Sequence, residues 1–236
     1  MRLSRPRTNQ GSLFTPFASI VRGSRGAVLS TLALTSMACA SLSRKEKGAA
    51  IGATAGAAIG GVIGNNTGST ARGAILGAVV GGATGAIIGH QMDQQAKELK
   101  LQIPGATVER VGEGIQVTFA SGLLYDFDSD VILPGAADNL RNLATSLGKY
   151  PNTELLVAGH TDALGSTAYN QELSARRATA ASRFLETQGV SSSRTHTSGR
   201  GELEPLATNE TEAGRQLNRR IEVAIYAGAK ARTAAQ

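Results

Sequence analysis

The C-terminal half of the sequence predicts an α+β domain built on a mixed β-sheet covered by helices. Three observations predict it. Gly114–Phe119 and Arg219–Tyr226 alternate apolar with polar residues, as half-buried strands do. Glu154–Ala158 is a short apolar run that reads as a buried strand. Between these strands lie two segments with apolar residues at helical spacing, and strands alternating with helices bury their faces by laying the helices on one side of a sheet.

Taken in order, Ser121-Gly122 breaks the first strand, and Leu123–Asp130 carries Tyr125-Asp126-Phe127-Asp128. Pro134 opens a helix, because its fixed φ suits the first helical position and its missing N–H is not needed there. Leu140, Leu143 and Leu147 continue that helix and Gly148 closes it. Pro151-Asn152 turns the chain into the buried strand. Asn170–Gly189 is a long helix with Leu173, Ala180, Phe184 and Leu185 facing inward, Arg194–Ser198 is a short strand, and Arg219–Tyr226 is the last strand.

The rest of the chain is different in kind. With 29 glycines, 4% aromatics and no Trp in 236 residues, bulky side chains are too few for one core through the whole length. The net charge is +6, but the basic residues are dispersed, with neither a basic helix nor interleaved aromatics, which argues against nucleic-acid binding. Arg2, Arg5, Arg7, Arg22 and Arg25, with no acid among them, precede the apolar run Gly26–Leu34. That run has the length of a signal-peptide core and is too short to span a bilayer. Small residues then lead to Cys39, the single cysteine, so no intrachain disulfide forms. Thr35-Ser36-Met37-Ala38-Cys39 resembles a bacterial lipoprotein signal, with Ser36 where Leu is usual; the resemblance implies lipidation at Cys39. Ordinary cleavage at Ala38-Cys39-Ala40 and an uncleaved anchor are the alternatives.

Residues 48–64 and 73–89 form an internal repeat. Gly48, Gly52, Gly56, Gly60 and Gly64 recur as Gly73, Gly77, Gly81, Gly85 and Gly89, each series at a spacing of four and the copies offset by 25 residues. Residues four apart share a helix face, so each copy carries a glycine stripe. Such a helix is poor in water, where each Gly costs about 1 kcal/mol against Ala, but the stripe lets another backbone approach closely in lipid or in an oligomer. The repeat therefore predicts a glycine-zipper helical hairpin turned at Asn65–Ser69, with a flexible spacer as the alternative. The expected organisation is a signal peptide at 1–38, a tether at 39–47, the hairpin at 48–89, a linker at 90–104 in which Gln91–Leu101 reads as a short helix ended by Pro104-Gly105, the folded domain at 105–227 and a flexible tail at 228–236.

Within the domain a family signature runs in order: Gly159-His160-Thr161-Asp162, Gly165, Asn170, Leu173-Ser174-Ala175-Arg176-Arg177-Ala178, Gly199-Arg200-Gly201-Glu202, Pro205, Asn209, Gly214-Arg215 and Asn218-Arg219-Arg220-Ile221-Glu222. It resembles the OmpA-like domain shared by outer-membrane protein A, peptidoglycan-associated lipoprotein and flagellar stator proteins. With the hairpin and Cys39, residues 39–227 look like an outer-membrane lipoprotein of the glycine-zipper OmpA-like type. The resemblance implies noncovalent binding of the diaminopimelate in the peptidoglycan stem, with Asp162 and Arg177 as the pair that grips it. An ammonium and a carboxylate at the end of diaminopimelate suit an Asp beside an Arg, which meets carboxylates in bidentate fashion. Further contacts are implied at Phe127, Asp128 and Leu173, and at Asn170, which alternatively caps its helix; Thr161 and Arg220 would support the site. For Asp162 and Arg177 the alternative is an internal ion pair, for Phe127 core packing and for Asp128 a turn.

His160, Asp162 and Ser166 invite a hydrolase triad but sit on one loop with no nucleophile elbow, so no catalytic residue is assigned. His90, His160 and His196 have no metal spacing, the glycine runs contain no phosphate-binding pattern, and neither a metal nor a cofactor is expected. Two functions remain: a tether between outer membrane and cell wall, facing the periplasm through a lipid anchor and glycine-rich helices; or a membrane assembly component, homo-oligomeric through its glycine stripes and positioned by wall binding. Inner-membrane and soluble periplasmic locations are the alternatives to the outer membrane.

Overall fold

The computed structural model describes residues 68–78 and 82–233; the signal peptide, Cys39, the tether and the first glycine copy at 48–64 lie outside these residues. The chain divides into two units, Met1–Leu42 and Ser43–Gln236, and every described residue belongs to the second.

The elements follow in the order α1 (Thr70–Gly77), α2 (Gly82–Gln102), β1 (Ala106–Val111), β2 (Gly114–Ala120), α3 (Ser121–Leu124), α4 (Pro134–Lys149), β3 (Thr153–His160), α5 (Thr167–Thr187), a 3-10 turn (Ser192–Arg194), β4 (Thr195–Gly199), α6 (Glu212–Asn218), β5 (Arg220–Ala227) and α7 (Ala229–Thr233). The five strands form one sheet in the order β1-β2-β5-β3-β4. Only β3 and β4 pair in parallel; the other neighbours are antiparallel. The sheet is mixed and the fold α+β, as the alternation of elements predicts.

Strand alternation divides the core in two. Ile221, Val223 and Ile225 point to one face with Leu155 and Val157, where α2, α4 and α5 cover them. Leu140, Leu143 and Leu147 of α4 are all fully buried there, each worth about 2 kcal/mol of apolar burial. Ala224, Tyr226 and Leu156 point to the other face, where α1 packs Ala71, Ala74 and Ile75 on them. Helices thus cover both faces rather than one.

Glycine sets how closely α5 lies on the sheet. A Cβ at Gly159 would come within 2.2 Å of the Ser174 carbonyl oxygen, and one at Gly199 within 2.7 Å of Ala175. Any side chain at either position would lift the helix that carries Leu173 and Arg177.

Three expected boundaries differ. The second glycine copy, expected as one helix over 73–89, is divided between α1 and α2. These pack on opposite faces of the sheet, which no single straight helix could do. The short helix expected at Gln91–Leu101 is present, but it is continuous with the helix from Gly82 and docked rather than a free linker: Met92, Ala96 and Leu99 of α2, and Ile103 just beyond it, are buried in the main core. The expected tail begins with α7, tied down by a hydrogen bond from the Ala229 backbone N–H to Glu154 Oε1 (2.7 Å). In addition, β1 appears where no strand was expected. It pairs with β2 through a hairpin at Gly112-Glu113, with Gly112 at φ +52°. No helix among the described residues is long and apolar enough to cross a membrane.

Candidate functional site

A cavity of about 390 Å³ opens where the C-terminal ends of α3 and β3 meet the start of α5. Asp162, Arg177, Phe127, Asp128, Leu173, Asn170 and Thr161 all line it. These expected residues, drawn from three separate stretches of sequence, converge on one surface.

Asp162 follows β3 and is buried, at 6% exposure. Its Oδ1 accepts the Leu164 backbone N–H (3.0 Å), which shapes the turn after the strand. Its Oδ2 accepts from Arg219 Nη1 at 2.5 Å. Arg219 sits at the C-terminal end of α6 and its Nη2 donates to Glu212 Oε1 at 2.5 Å. Burial alone would lower the Arg219 guanidinium pKa, but the hydrogen bonds to Glu212 and Asp162 outweigh it and raise it. Arg219 is therefore the ion partner of Asp162 among the described residues, and the alternative of an internal Asp162–Arg177 ion pair is not what they form.

Arg177 is equally buried, at 5% exposure, and does different work. Its guanidinium lies 5.3 Å from the Tyr125 ring centroid, a cation–π distance. Its Nε donates to the Ser129 carbonyl (2.8 Å) and its Nη2 to the Asp126 carbonyl (3.2 Å). The same residue's own carbonyl accepts from the Tyr125 hydroxyl (2.6 Å). Burial pushes the Tyr125 hydroxyl well above its ordinary pKa, so it stays a donor. Arg177 thus clamps the 126–129 loop from beneath, while no hydrogen bond engages its Nη1 among the described residues.

The clamped loop is strained and exposed. Asp128 adopts φ +56°, the left-handed region that an Asp tolerates better than most residues, and accepts a hydrogen bond from the Tyr169 hydroxyl. Phe127, next to it, is 98% exposed at the mouth of the cavity, so it is not a core residue. Leu164 and Tyr169 add partly exposed apolar surface, and Leu173 forms buried floor. Asn170 does not cap its helix, which begins earlier at Thr167 with Ser166 as its cap. Its side-chain amide instead donates to Glu202 Oε2 (2.6 Å).

Arg220, expected as support, faces away. Its Nε donates to Glu222 Oε1 (2.7 Å) and its Nη2 to the Glu204 carbonyl (3.0 Å), on the sheet face beneath α1. His160 lies on that face too, its ring nitrogens nearest Glu204 and Glu222 rather than Asp162. Ser166 Oγ is spent on the Tyr169 backbone N–H (3.2 Å), so no triad forms among these three residues. No group of His, Cys, Asp and Glu suited to a metal occurs among the described residues.

The cavity therefore sets the carboxylates of Asp162 and, around it, Asp126, Asp128 and Glu212, with the Arg177 and Arg219 guanidiniums, over an apolar floor, with an exposed aromatic at the rim. Such a lining suits a small ligand end carrying both charges beside a methylene stem. Arg219, Tyr125, Leu164 and Tyr169 join the cavity although none was expected there.

Residues 124–219 match the OmpA family model, and residues 23–93 match the YMGG-like Gly-zipper model. The chain is 36% identical over 140 residues to the probable lipoprotein YiaD of Escherichia coli K12, covering 58% of this chain and 64% of that protein. It is 35% identical over 138 residues to the peptidoglycan-associated lipoprotein of Agrobacterium fabrum, covering 58% and 77% respectively. It spans less than two thirds of the length of several curated relatives it matches, YiaD among them. Among solved structures, the cell wall anchor of the T6SS from Pseudomonas aeruginosa superposes with a TM-score of 0.50 at 28% identity, over 58% of this chain and 96% of that one. A cavity built at the end of β3, the ordered signature around it and this extent of identity agree: the chain belongs to the OmpA family.

Proposed function

We propose that the chain binds peptidoglycan noncovalently through this cavity and joins the outer membrane to the cell wall from the periplasmic side. The observation that carries the reading is the convergence of Asp162, Arg177 and Arg219 on one apolar-floored cavity. Diaminopimelate offers an ammonium and a carboxylate on one carbon, at the end of a methylene stem. In this reading Asp162 receives the ammonium, and the carboxylate meets the open Nη1 of Arg177 and the Arg219 guanidinium. The stem lies along Leu173, with Phe127 closing over it, and Asn170, Asp128 and Thr161 complete the wall. The names of the relatives, a peptidoglycan-associated lipoprotein and a cell wall anchor, support the same reading. Nothing in this function calls for bond making, so the chain is read as a binding protein and not an enzyme.

Attachment at the membrane end is assigned to lipid on Cys39. Each buried methylene contributes about 0.8 kcal/mol, so several chains on one residue hold firmly. Mass spectrometry of the mature N-terminus tests it: acylated Cys39 as first residue is expected, and an unmodified N-terminus elsewhere would remove the lipid anchor from the reading. For the wall end, sedimentation of the full chain with purified sacculi is the test. Wild type is expected in the pellet, and Asp162→Ala in the supernatant. Equal pelleting of both would dismiss the cavity.

A further inference from the structure

The second copy of the glycine repeat is used in an unexpected way. α1 carries Gly73 and Gly77, yet it lies on the sheet, with Ile75 set over Gly114 so closely that a Cβ on that glycine would fall 2.5 Å from Ile75 Cγ2. Its N-terminus is held by two buried carboxylates. Ser69 Oγ donates to Glu222 Oε2 (2.6 Å). The Thr70 backbone N–H and hydroxyl donate to Glu204 Oε2 and Oε1 (2.9 and 2.5 Å). Each carboxylate is further held by an arginine of the domain, Glu204 by Arg200 (2.8 Å) and Glu222 by Arg220 (2.7 Å). A buried carboxylate without donors is costly, so Glu204 and Glu222 form a seat that a Ser-Thr pair completes.

The two copies differ at this point. Shifting Ser69-Thr70 back by the 25-residue repeat offset lands on Arg44-Lys45, which offer no hydroxyl. Copies alike in glycine are therefore unlike in the residues that the seat engages.

We propose that the sheet face opposite the cavity is a receptor for α1, the first part of the second glycine copy, and that docking there excludes this copy from the glycine hairpin that the repeat predicts. The two states compete for the same residues. A continuous zipper helix over 73–89 needs α1 and α2 in one line, whereas docking places them on opposite faces of the sheet. Docked, the second copy belongs to the folded domain; released, it is free to pair with the first copy in lipid. The inference stands independently of peptidoglycan binding.

The test uses the purified full chain, free and mixed with vesicles of phosphatidylethanolamine and phosphatidylglycerol. Ser69→Asp with Thr70→Asp sets two further carboxylates against Glu204 and Glu222 and should eject α1. In wild type, amides 70–78 should exchange as slowly as those of β5. In the double variant their protection should fall at least 100-fold while β3 and β5 stay protected. Vesicles should then shield a protease-resistant fragment spanning 73–89 at least ten-fold more abundantly than in wild type. An ejected α1 with no gain in that fragment overturns the proposal, as does a wild-type chain that yields it with α1 still docked. Should the double variant lose β3 and β5 as well, Ile75→Ala loosens α1 without adding charge and is read by the same two outcomes.

Discussion

Asp162 and Arg219 form an ion pair at 2.5 Å in the wall of the cavity, and Arg219 extends the chain of charge to Glu212 at 2.5 Å. The pair is pre-set before any ligand arrives, so a zwitterion entering the cavity meets opposite charges already side by side. Arg219→Ala should weaken binding to sacculi at least ten-fold, as should Asp162→Ala. The double variant should lose little more, because each single change already breaks the arrangement. Asp162 is buried, so Arg219→Ala leaves a carboxylate oxygen without its donor and should cost about 1–3 kcal/mol of stability. Binding isotherms and thermal melts on the three variants check this; additive losses would show that the residues act separately.

Arg177 should behave differently because it is a strut as well as a proposed ligand group. Arg177→Ala removes the donors to the Ser129 and Asp126 carbonyls and the cation from the Tyr125 ring. Unsatisfied carbonyls cost about 1–3 kcal/mol. Arg177→Ala should therefore lower the melting temperature and raise exchange in residues 126–129 along with losing binding. Arg177→Lys keeps the charge and loses the forked geometry, so it should restore part of the stability and little of the binding. A melt identical to wild type for Arg177→Ala would refute the strut.

Phe127 tests the rim without disturbing the core. At 98% exposure it contributes almost nothing to folding. Phe127→Ala should leave stability within about 0.5 kcal/mol and reduce affinity for sacculi several-fold. Unchanged affinity would place Phe127 outside the ligand contact.

His160 gives the fold a pH dependence. Burial first, and then Arg220 and Arg200, hold its pKa well below the ordinary 6.5. Folded His160 is neutral, while the unfolded chain takes up a proton as pH falls through about 6.5. Its contribution is therefore complete above that pH and is lost as pH falls below it, by at most about 1.4 kcal/mol per pH unit until the folded group titrates. His160→Gln should flatten this slope in urea melts between pH 7 and pH 5. An equal slope in the variant would assign the acid sensitivity elsewhere.

Much of this was legible in the sequence, and the misses have physical reasons. The Leu140-Leu143-Leu147 spacing and the alternation of the last strand marked α4 and β5 because both patterns are local. The choice between Arg219 and Arg220 was also open to alternation. Glu222, Ala224 and Tyr226 share one face, so Arg220 goes with them and Arg219 with the cavity. The adjacent Arg-Arg pair hides this only when read as a motif. The short helix at Gln91–Leu101 was legible, but its docking was not: Met92, Ala96, Leu99 and Ile103 recur at intervals of four, three and four, a core-facing stripe beneath polar residues that suggested a helix free in a linker. Leu99→Ala, at a fully buried position, should accordingly cost about 2–5 kcal/mol, where a linker would show none. The docking of α1 was not legible. Ser69 and Thr70 find their acceptors at Glu222 and Glu204, 153 and 134 residues away, and nothing local distinguishes that helix from one arm of a glycine zipper.

Recognition of a zwitterionic centre is tested most directly by titrating the full chain with two stem peptides that differ at one residue, diaminopimelate or lysine. Lysine keeps the methylene stem and the ammonium but lacks the carboxylate that Arg177 and Arg219 would receive. The diaminopimelate peptide should bind, and the lysine peptide should bind at least ten-fold more weakly, with that preference lost in Arg219→Ala. Equal affinity for both peptides in the wild type would contradict the assignment.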